Sequence, residues 1–151
     1  MTTRKPHPPS LVSPPTSGDI GAMLAAAMEV RRHAYVPYSG FPVSACIRGE
    51  SGRLFVGVNV DNASFPETAC AEANAIGAMI TAGDRKVAAI LIVGGRDNDA
   101  SLCVPCGGCR QRLSEFAAPA SMVYVCGPGG LRQSFEFQQL MPHAFGASQL
   151  R

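Results

Sequence analysis

The chain has 151 residues, 46% hydrophobic and 16% charged, with a net charge of +2 and no Trp. That length suits one domain with its own core, and that apolar content excludes a chain disordered throughout. Few aromatics (7%) and a near-neutral balance argue against a dedicated nucleic-acid surface, and no apolar run approaches the ~20 residues of a membrane span.

Residues 1–18 hold five of the twelve prolines, some early basic residues and no apolar h-region. They read as a disordered or loosely attached arm with no secretory signal, and the expected compartment is the cytoplasm. From Asp19 the pattern changes. Ile20, Met23, Leu24, Ala27 and Val30 recur at helical spacing, which predicts a helix to about Ala34 with Ser17 or Asp19 as N-cap. Tyr35-Val-Pro-Tyr-Ser-Gly40 then turns the chain. Val43–Arg48 and Leu54–Val60 read as strands of a hairpin joined at Glu50-Ser51-Gly52. Residues 69–82 are rich in Ala and Met and read as a second helix. Val87–Val93 is almost uniformly apolar, as expected of a strand covered on both faces. A short helical stretch Arg110–Phe116 and strands Met122–Cys126 and Leu131–Phe137 follow. The link Gly127-Pro-Gly-Gly130 is too short for a crossover, so the last two strands should be antiparallel. The order predicts one α/β domain over 19–151, with a mixed five-stranded sheet covered by helices.

Six cysteines in a reducing compartment point to metal binding or catalysis more than to disulfides. Cys46 and Cys126 lie in apolar runs and read as small buried hydrophobes. Cys70-Ala71-Glu72 and Pro105-Cys106-Gly107-Gly108-Cys109 open two predicted helices and carry the chemistry. Three thiolates leave one position of a tetrahedral zinc open, the arrangement of a catalytic site. Helix N-termini offset the negative charge of such a centre and lower thiol pKa values. Glu72, two residues beyond Cys70, can pass protons from metal-activated water to a substrate nitrogen, which is the chemistry of zinc deaminases. A closed structural zinc site with Cys103 as fourth ligand and a redox C-x-x-C are the alternatives that spacing leaves open. The pairing of Cys-Ala-Glu with Pro before C-x-x-C disfavours both. His7, His33 and His143 have no partners at ligand spacing and read as surface or structural residues.

Five stretches together resemble the cytidine deaminase family: residues 34–43, 57–64, 70–72, 105–111 and 140–146, in the family's order and spacing. The resemblance implies a three-layer cytidine deaminase-like fold and hydrolytic deamination of cytidine and deoxycytidine in pyrimidine salvage. It implies Zn2+ as cofactor, with Cys70, Cys106 and Cys109 as ligands and Glu72 as proton shuttle. Asn59 and Asp61 match a pair that bonds the ribose 3′-hydroxyl, and Phe41 matches an aromatic beside the pyrimidine. The Ala71 N–H would face the base O2, and the Val104 carbonyl would receive the departing amino group. Phe145 matches an aromatic that reaches a neighbouring subunit, implying a homotetramer with shared sites, a small nucleoside substrate, and neither nucleic acid nor membrane as partner. Without the resemblance, Phe41 and Phe145 would read as core residues. The chain departs from the family at three positions: Asp61 stands for Glu, Phe65 for Tyr, and Ala73 for an Arg that softens the thiolate charge. Helix ends, or another cation such as Arg110 or Arg112, must then serve. A non-Arg residue at position 73 is also similar to blasticidin-type deaminases, so a modified cytosine nucleoside is the alternative substrate. A catalytically silent zinc-binding relative is the alternative from another class.

Overall fold

A computed structural model describes residues 13–96, 98 and 100–150. The greater part of the Pro-rich arm lies outside the described residues. The first helix, α1 (Ser17–Arg31), begins earlier than the hydrophobic spacing predicts. Its N-cap is Thr16, whose hydroxyl accepts the Asp19 N–H at 3.2 Å while Asp19 accepts the Thr16 N–H at 2.8 Å. That reciprocal cap satisfies two donors that a helix start otherwise strands, and it outcompetes Ser17 or Asp19 as the cap. At its other end α1 stops at Arg31, so Arg32–Ala34 already belong to the turn.

The hairpin forms from β1 (Val43–Gly49) and β2 (Leu54–Val58). Asp84 staples its turn, accepting the Ser51 hydroxyl at 2.6 Å, the Ser51 N–H at 3.2 Å and Arg53 Nη2 at 2.9 Å. A short 3-10 turn (Phe65–Glu67) leads to α2 (Ala71–Thr81), then to β3 (Val87–Gly94), α3 (Gly107–Ser114), β4 (Ala117–Gly127) and β5 (Gly130–Glu136). The sheet order is β2-β1-β3-β4-β5, with only β3 and β4 parallel. The expected mixed five-stranded sheet is therefore present, and β4 and β5 are antiparallel neighbours. β4 starts five residues before the predicted Met122 because Ser121 repairs an irregular stretch around Pro119. Its hydroxyl accepts the Ala118 N–H at 3.0 Å and donates to the Val87 carbonyl at 2.8 Å. A short α4 (Phe137–Leu140), unforeseen in the sequence, follows β5 and is held by a Glu136–Gln139 capping box.

Two apolar clusters make three layers. On one face α1 supplies Met23 and Ala27 against Cys46, Leu91, Val93 and Tyr124. On the other, Ala75 and Met79 of α2, Leu113 of α3 and Phe137 of α4 pack on Ala45, Ile47, Ile90, Ile92 and Val123. β3 is buried along its whole length, as its uniform apolarity predicts. The pairing directions make β2, β3 and β4 point the same way, so the chain leaves all three at one edge. α2 and α3 both begin near that edge, the usual place for a ligand in an open sheet of this kind.

Candidate metal centre and active site

Cys70 is the N-cap residue of α2, Cys106 is the N-cap residue of α3, and Cys109 lies in the first turn of α3. Their sulfurs lie within 4.8 Å of one another, and Cys70 and Cys106 Sγ are 3.9 Å apart. Zn–S bonds of ~2.3 Å in a tetrahedron space sulfurs by roughly 3.8 Å, so the cluster has the dimensions of a zinc site. Among the described residues no other group of three or more His, Cys, Asp or Glu side chains is so placed. Cys103 is outside the cluster. Its sulfur packs against Gly94 at the end of β3, 2.3 Å from where a Cβ would stand, so a larger residue at 94 would force the Cys103 side chain to move.

The thiols report what the cluster requires. Burial, then the proximity of Glu72, Cys70 and Cys106, pushes the Cys109 thiol far up. Burial and then Cys106 raise Cys70 as well. Cys106 goes the other way: burial opposes ionisation, but the Cys109 N–H and hydrogen bonds with the Cys109 and Cys70 thiols outweigh it. Sulfurs that crowd each other against ionisation become mutually compatible once a cation sits among them. The donor set, its spacing and this mutual repulsion fit zinc.

Glu72, in the first turn of α2, is 5% exposed and packed beside these sulfurs. Burial raises its carboxyl above the ordinary range, against the pull of its own backbone N–H, Cys109 and the Arg112 charge. A carboxyl pushed toward neutral suits proton transfer.

The turn of α2 that carries Cys70 and Glu72 is set by two features that the hydrophobic pattern does not reveal. Gly57 of β2 runs directly beneath it, and a Cβ there would lie 2.4 Å from both the Ala71 carbonyl oxygen and the Ala75 nitrogen. Asn74 donates to the Val58 carbonyl at 2.8 Å, tying helix to strand. A glycine inside a strand pattern is the one sequence signal that could have flagged such an approach.

The other predicted residues gather around the same edge. Val60 exchanges backbone bonds with Ala69 at 2.9 and 3.0 Å, which lays Asn59–Asp61 beside the approach to Cys70. Asn59 clamps the segment after the first turn, accepting from the Val43 N–H at 2.8 Å and donating to the Phe41 carbonyl at 2.9 Å. Asp61, 6% exposed, accepts from the Ser39 N–H at 2.8 Å, the Tyr38 N–H at 3.2 Å and the Ser39 hydroxyl at 3.2 Å. The Ser39 N–H leads the bonds that hold its carboxyl below the usual range, against some cost of burial. Phe41 and Val104 are half-buried, and Ala71 is wholly buried. Phe145 is 57% exposed, and its carbonyl accepts from Gln111 at 2.8 Å.

The model of the cytidine and deoxycytidylate deaminase zinc-binding region matches residues 19–126. This chain belongs to that family. A cytidine deaminase of Sporosarcina psychrophila is 33% identical over 132 residues, covering 87% of this chain and 95% of that one. A cytidine deaminase of Mycobacterium tuberculosis is 36% identical over 124 residues, covering 82% and 87%. Among solved structures, a cytidine deaminase from Burkholderia pseudomallei superposes with a TM-score of 0.74 at 36% identity, over 83% of this chain and 98% of that one. The zinc-binding family description and the three-cysteine cluster agree on the metal. Among the described residues no fourth side chain joins the three sulfurs, and with the neighbouring buried Glu72 this sets the site apart from a closed structural knuckle.

Proposed function

We propose that this chain catalyses hydrolytic deamination of cytidine and deoxycytidine, consuming water and yielding uridine or deoxyuridine and ammonia, as a step of pyrimidine salvage in the cytoplasm. The observation that carries this reading is the buried Glu72 carboxylate beside a three-sulfur, open-sided metal cluster. Cys70, Cys106 and Cys109 would hold the zinc, which when bound would make a water acidic enough to attack near neutral pH. Glu72 would take one proton from the attacking water and deliver it to ring N3, then take the second from the hydroxyl formed at C4 and deliver it to the leaving amino group, so that both protons of the water are accounted for. The Ala71 N–H, at the start of α2, faces the base O2, and the Val104 carbonyl accepts from the departing amino group. Phe41 flanks the pyrimidine. Asn59 and Asp61 hold the sugar: Asp61 Oδ2 takes both backbone N–H groups, while Oδ1, engaged only by Ser39, keeps capacity for a 3′-hydroxyl.

Residues 19–151 are read as the zinc domain, assembled as a homotetramer in which Phe145 completes a neighbour's site. A nucleoside is the partner, with no role for nucleic acid or membrane. Among the described residues no helix is long and apolar enough to cross a membrane. A modified cytosine nucleoside is the second reading. It is favoured by an Asp61 carboxylate already bonded to Tyr38 and Ser39 and by Ala73 next to the glutamate. A panel of cytosine nucleosides assayed for ammonia release and absorbance loss tests both readings. Turnover of cytidine and deoxycytidine is expected to lead the panel. Turnover only of a modified nucleoside replaces the first reading with the second, and no turnover by zinc-loaded protein points to a catalytically silent relative.

A further inference from the structure

Zn2+ on three thiolates carries one net negative charge, and the Glu72 carboxylate beside it adds another. The N-termini of α2 and α3 meet this charge with roughly half a positive charge each. More is needed from side chains, and α3 carries two arginines. The Arg110 guanidinium is engaged elsewhere, donating from Nε to the Pro105 carbonyl at 2.8 Å and from Nη1 to the Leu140 carbonyl at 3.2 Å. It anchors the turn before α3 to the end of α4.

Arg112 behaves differently. Its backbone is in the last turn of α3, yet its guanidinium folds back over Gly108 in the first turn. Nη1 lies 3.0 Å from the point where a Cβ on Gly108 would stand, and Cys106 Sγ lies 4.0 Å from the same point. A cation is favoured at a helix C-terminus and disfavoured at its N-terminus, so the helix dipole opposes this placement. Helix side chains lean toward the N-terminus, so a residue four positions on reaches over Gly108, and the negative charge of the site offsets the cost that the dipole sets on a cation there. Glu72, in the first turn of α2, adds a carboxylate to the charge of the site. The Cys106 sulfur, which shares the space above Gly108 with the guanidinium, is the nearest member of the cluster that the geometry sets beside Arg112. Gly108, having no side chain, leaves the surface of the first turn open to the guanidinium.

We propose that Arg112 is a positioning residue of the metal centre: it supplies the cation that balances the zinc–thiolate charge and so sets how tightly zinc is retained. It touches neither the metal nor the reacting atoms. The inference rests on reading the three-cysteine site as a zinc centre. Arg112 is exposed on the surface of α3, so replacing it leaves the core intact.

The test is zinc affinity, measured by competition with a chromophoric chelator on folded wild type, Arg112→Lys and Arg112→Met. Arg112→Met keeps much of the length and removes the charge; it is expected to hold zinc about tenfold more weakly, the scale of one nearby charge near a protein surface. Arg112→Lys should stay within about threefold of wild type. Added salt should weaken zinc retention in wild type and change it little in Arg112→Met, because screening removes what the mutation has already removed. Wild-type affinity in Arg112→Met would overturn the proposal, as would an equal loss in the Lys variant, which would assign the effect to guanidinium shape. Wild-type protein that takes up no zinc would remove the metal reading itself, an outcome distinct from both.

Discussion

In the proposed reaction Glu72 and the cysteines divide the work of the site between residues that hold an ion and one that moves protons. If Glu72 is not a ligand, Glu72→Gln keeps the shape of the pocket and the zinc but loses the proton shuttle. Turnover of cytidine should fall by ~10²-fold or more while zinc content stays near one per chain, measured by steady-state kinetics beside metal analysis. Cys106→Ala should lose both, and Cys103→Ser should lose neither, since Cys103 packs on Gly94 and not on the cluster. Asp61 is the residue whose role its neighbours most constrain. Three bonds from Tyr38 and Ser39 hold its carboxylate, so it orders the 35–43 segment whether or not a sugar is bound. If Oδ1 also reads the 3′-hydroxyl, kcat/KM for deoxycytidine should exceed that for its 2′,3′-dideoxy analogue by at least about tenfold, the reach of a hydrogen bond to a charged acceptor. Asp61→Ala should abolish that preference. Equal discrimination by the two proteins would confine Asp61 to ordering the turn.

The elements matter through where they place helix starts. α2 presents Cys70, Ala71 and Glu72 correctly only because β2 passes beneath it at a glycine. Gly57→Ala adds a methyl group that must meet backbone atoms at 2.4 Å, and backbone cannot swing aside as a flexible side chain can. The expected cost is about 1–3 kcal/mol of overpacking, with zinc content and turnover falling together, seen by thermal melting and metal analysis. The β1–β2 hairpin depends on Asp84 in the same local way. Its carboxyl is held below the ordinary range chiefly by the Ser51 hydroxyl, with further bonds from Arg53 and the Ser51 N–H and some cost of burial. A carboxyl with a depressed folded pKa stabilises above its unfolded value, ~3.9, and loses that contribution as pH falls through the folded value. Metal-free wild type should therefore melt above Asp84→Asn near neutral pH, with the gap narrowing below pH ~4. A gap that does not change with pH would mean that Asp84 acts through shape and not charge.

For the whole molecule, the isolated chain leaves large apolar side chains exposed: Phe65 at 75%, Phe145 and Tyr38 at 57% and Tyr35 at 55%. Tyr35 pairs with Val60, so part of this surface borders the segment carrying Asn59 and Asp61. Closing that edge with other copies of the chain is what the proposed shared-site tetramer does. Light-scattering-coupled chromatography should give a tetramer, and Phe145→Ala should raise KM for cytidine several-fold without loss of zinc. Full activity eluting as a monomer would contradict the shared site.

The sequence by itself determined most of the fold and the chemistry of the site. Helical spacing, apolar runs and the turn residues between them located five strands and three helices, because burial on one face or, in β3, on both leaves its mark in the order of residues. The Cys-Ala-Glu and Pro-Cys-Gly-Gly-Cys elements named the metal donors, because ligand spacing is local and helix-bound. Boundaries escaped where polar side chains settle them: the Thr16 cap, the Ser121 repair of β4 and the Glu136–Gln139 box of α4 are hydrogen bonds, not hydrophobic patterns. Tertiary structure alone decided the rest. Bringing Cys70 to 3.9 Å from Cys106 requires two helices from distant parts of the chain to start at one sheet edge. Separating Arg110 from Arg112 as the compensating cation requires knowing that one is bonded to carbonyls and the other folds over Gly108. The Arg112–Gly108 contact is local, four residues apart on one helix, but the Cys70–Cys106 approach and the Arg110–Leu140 bond depend on which parts of the chain meet across space, and the residues on either side of an arginine do not specify what its guanidinium will find there.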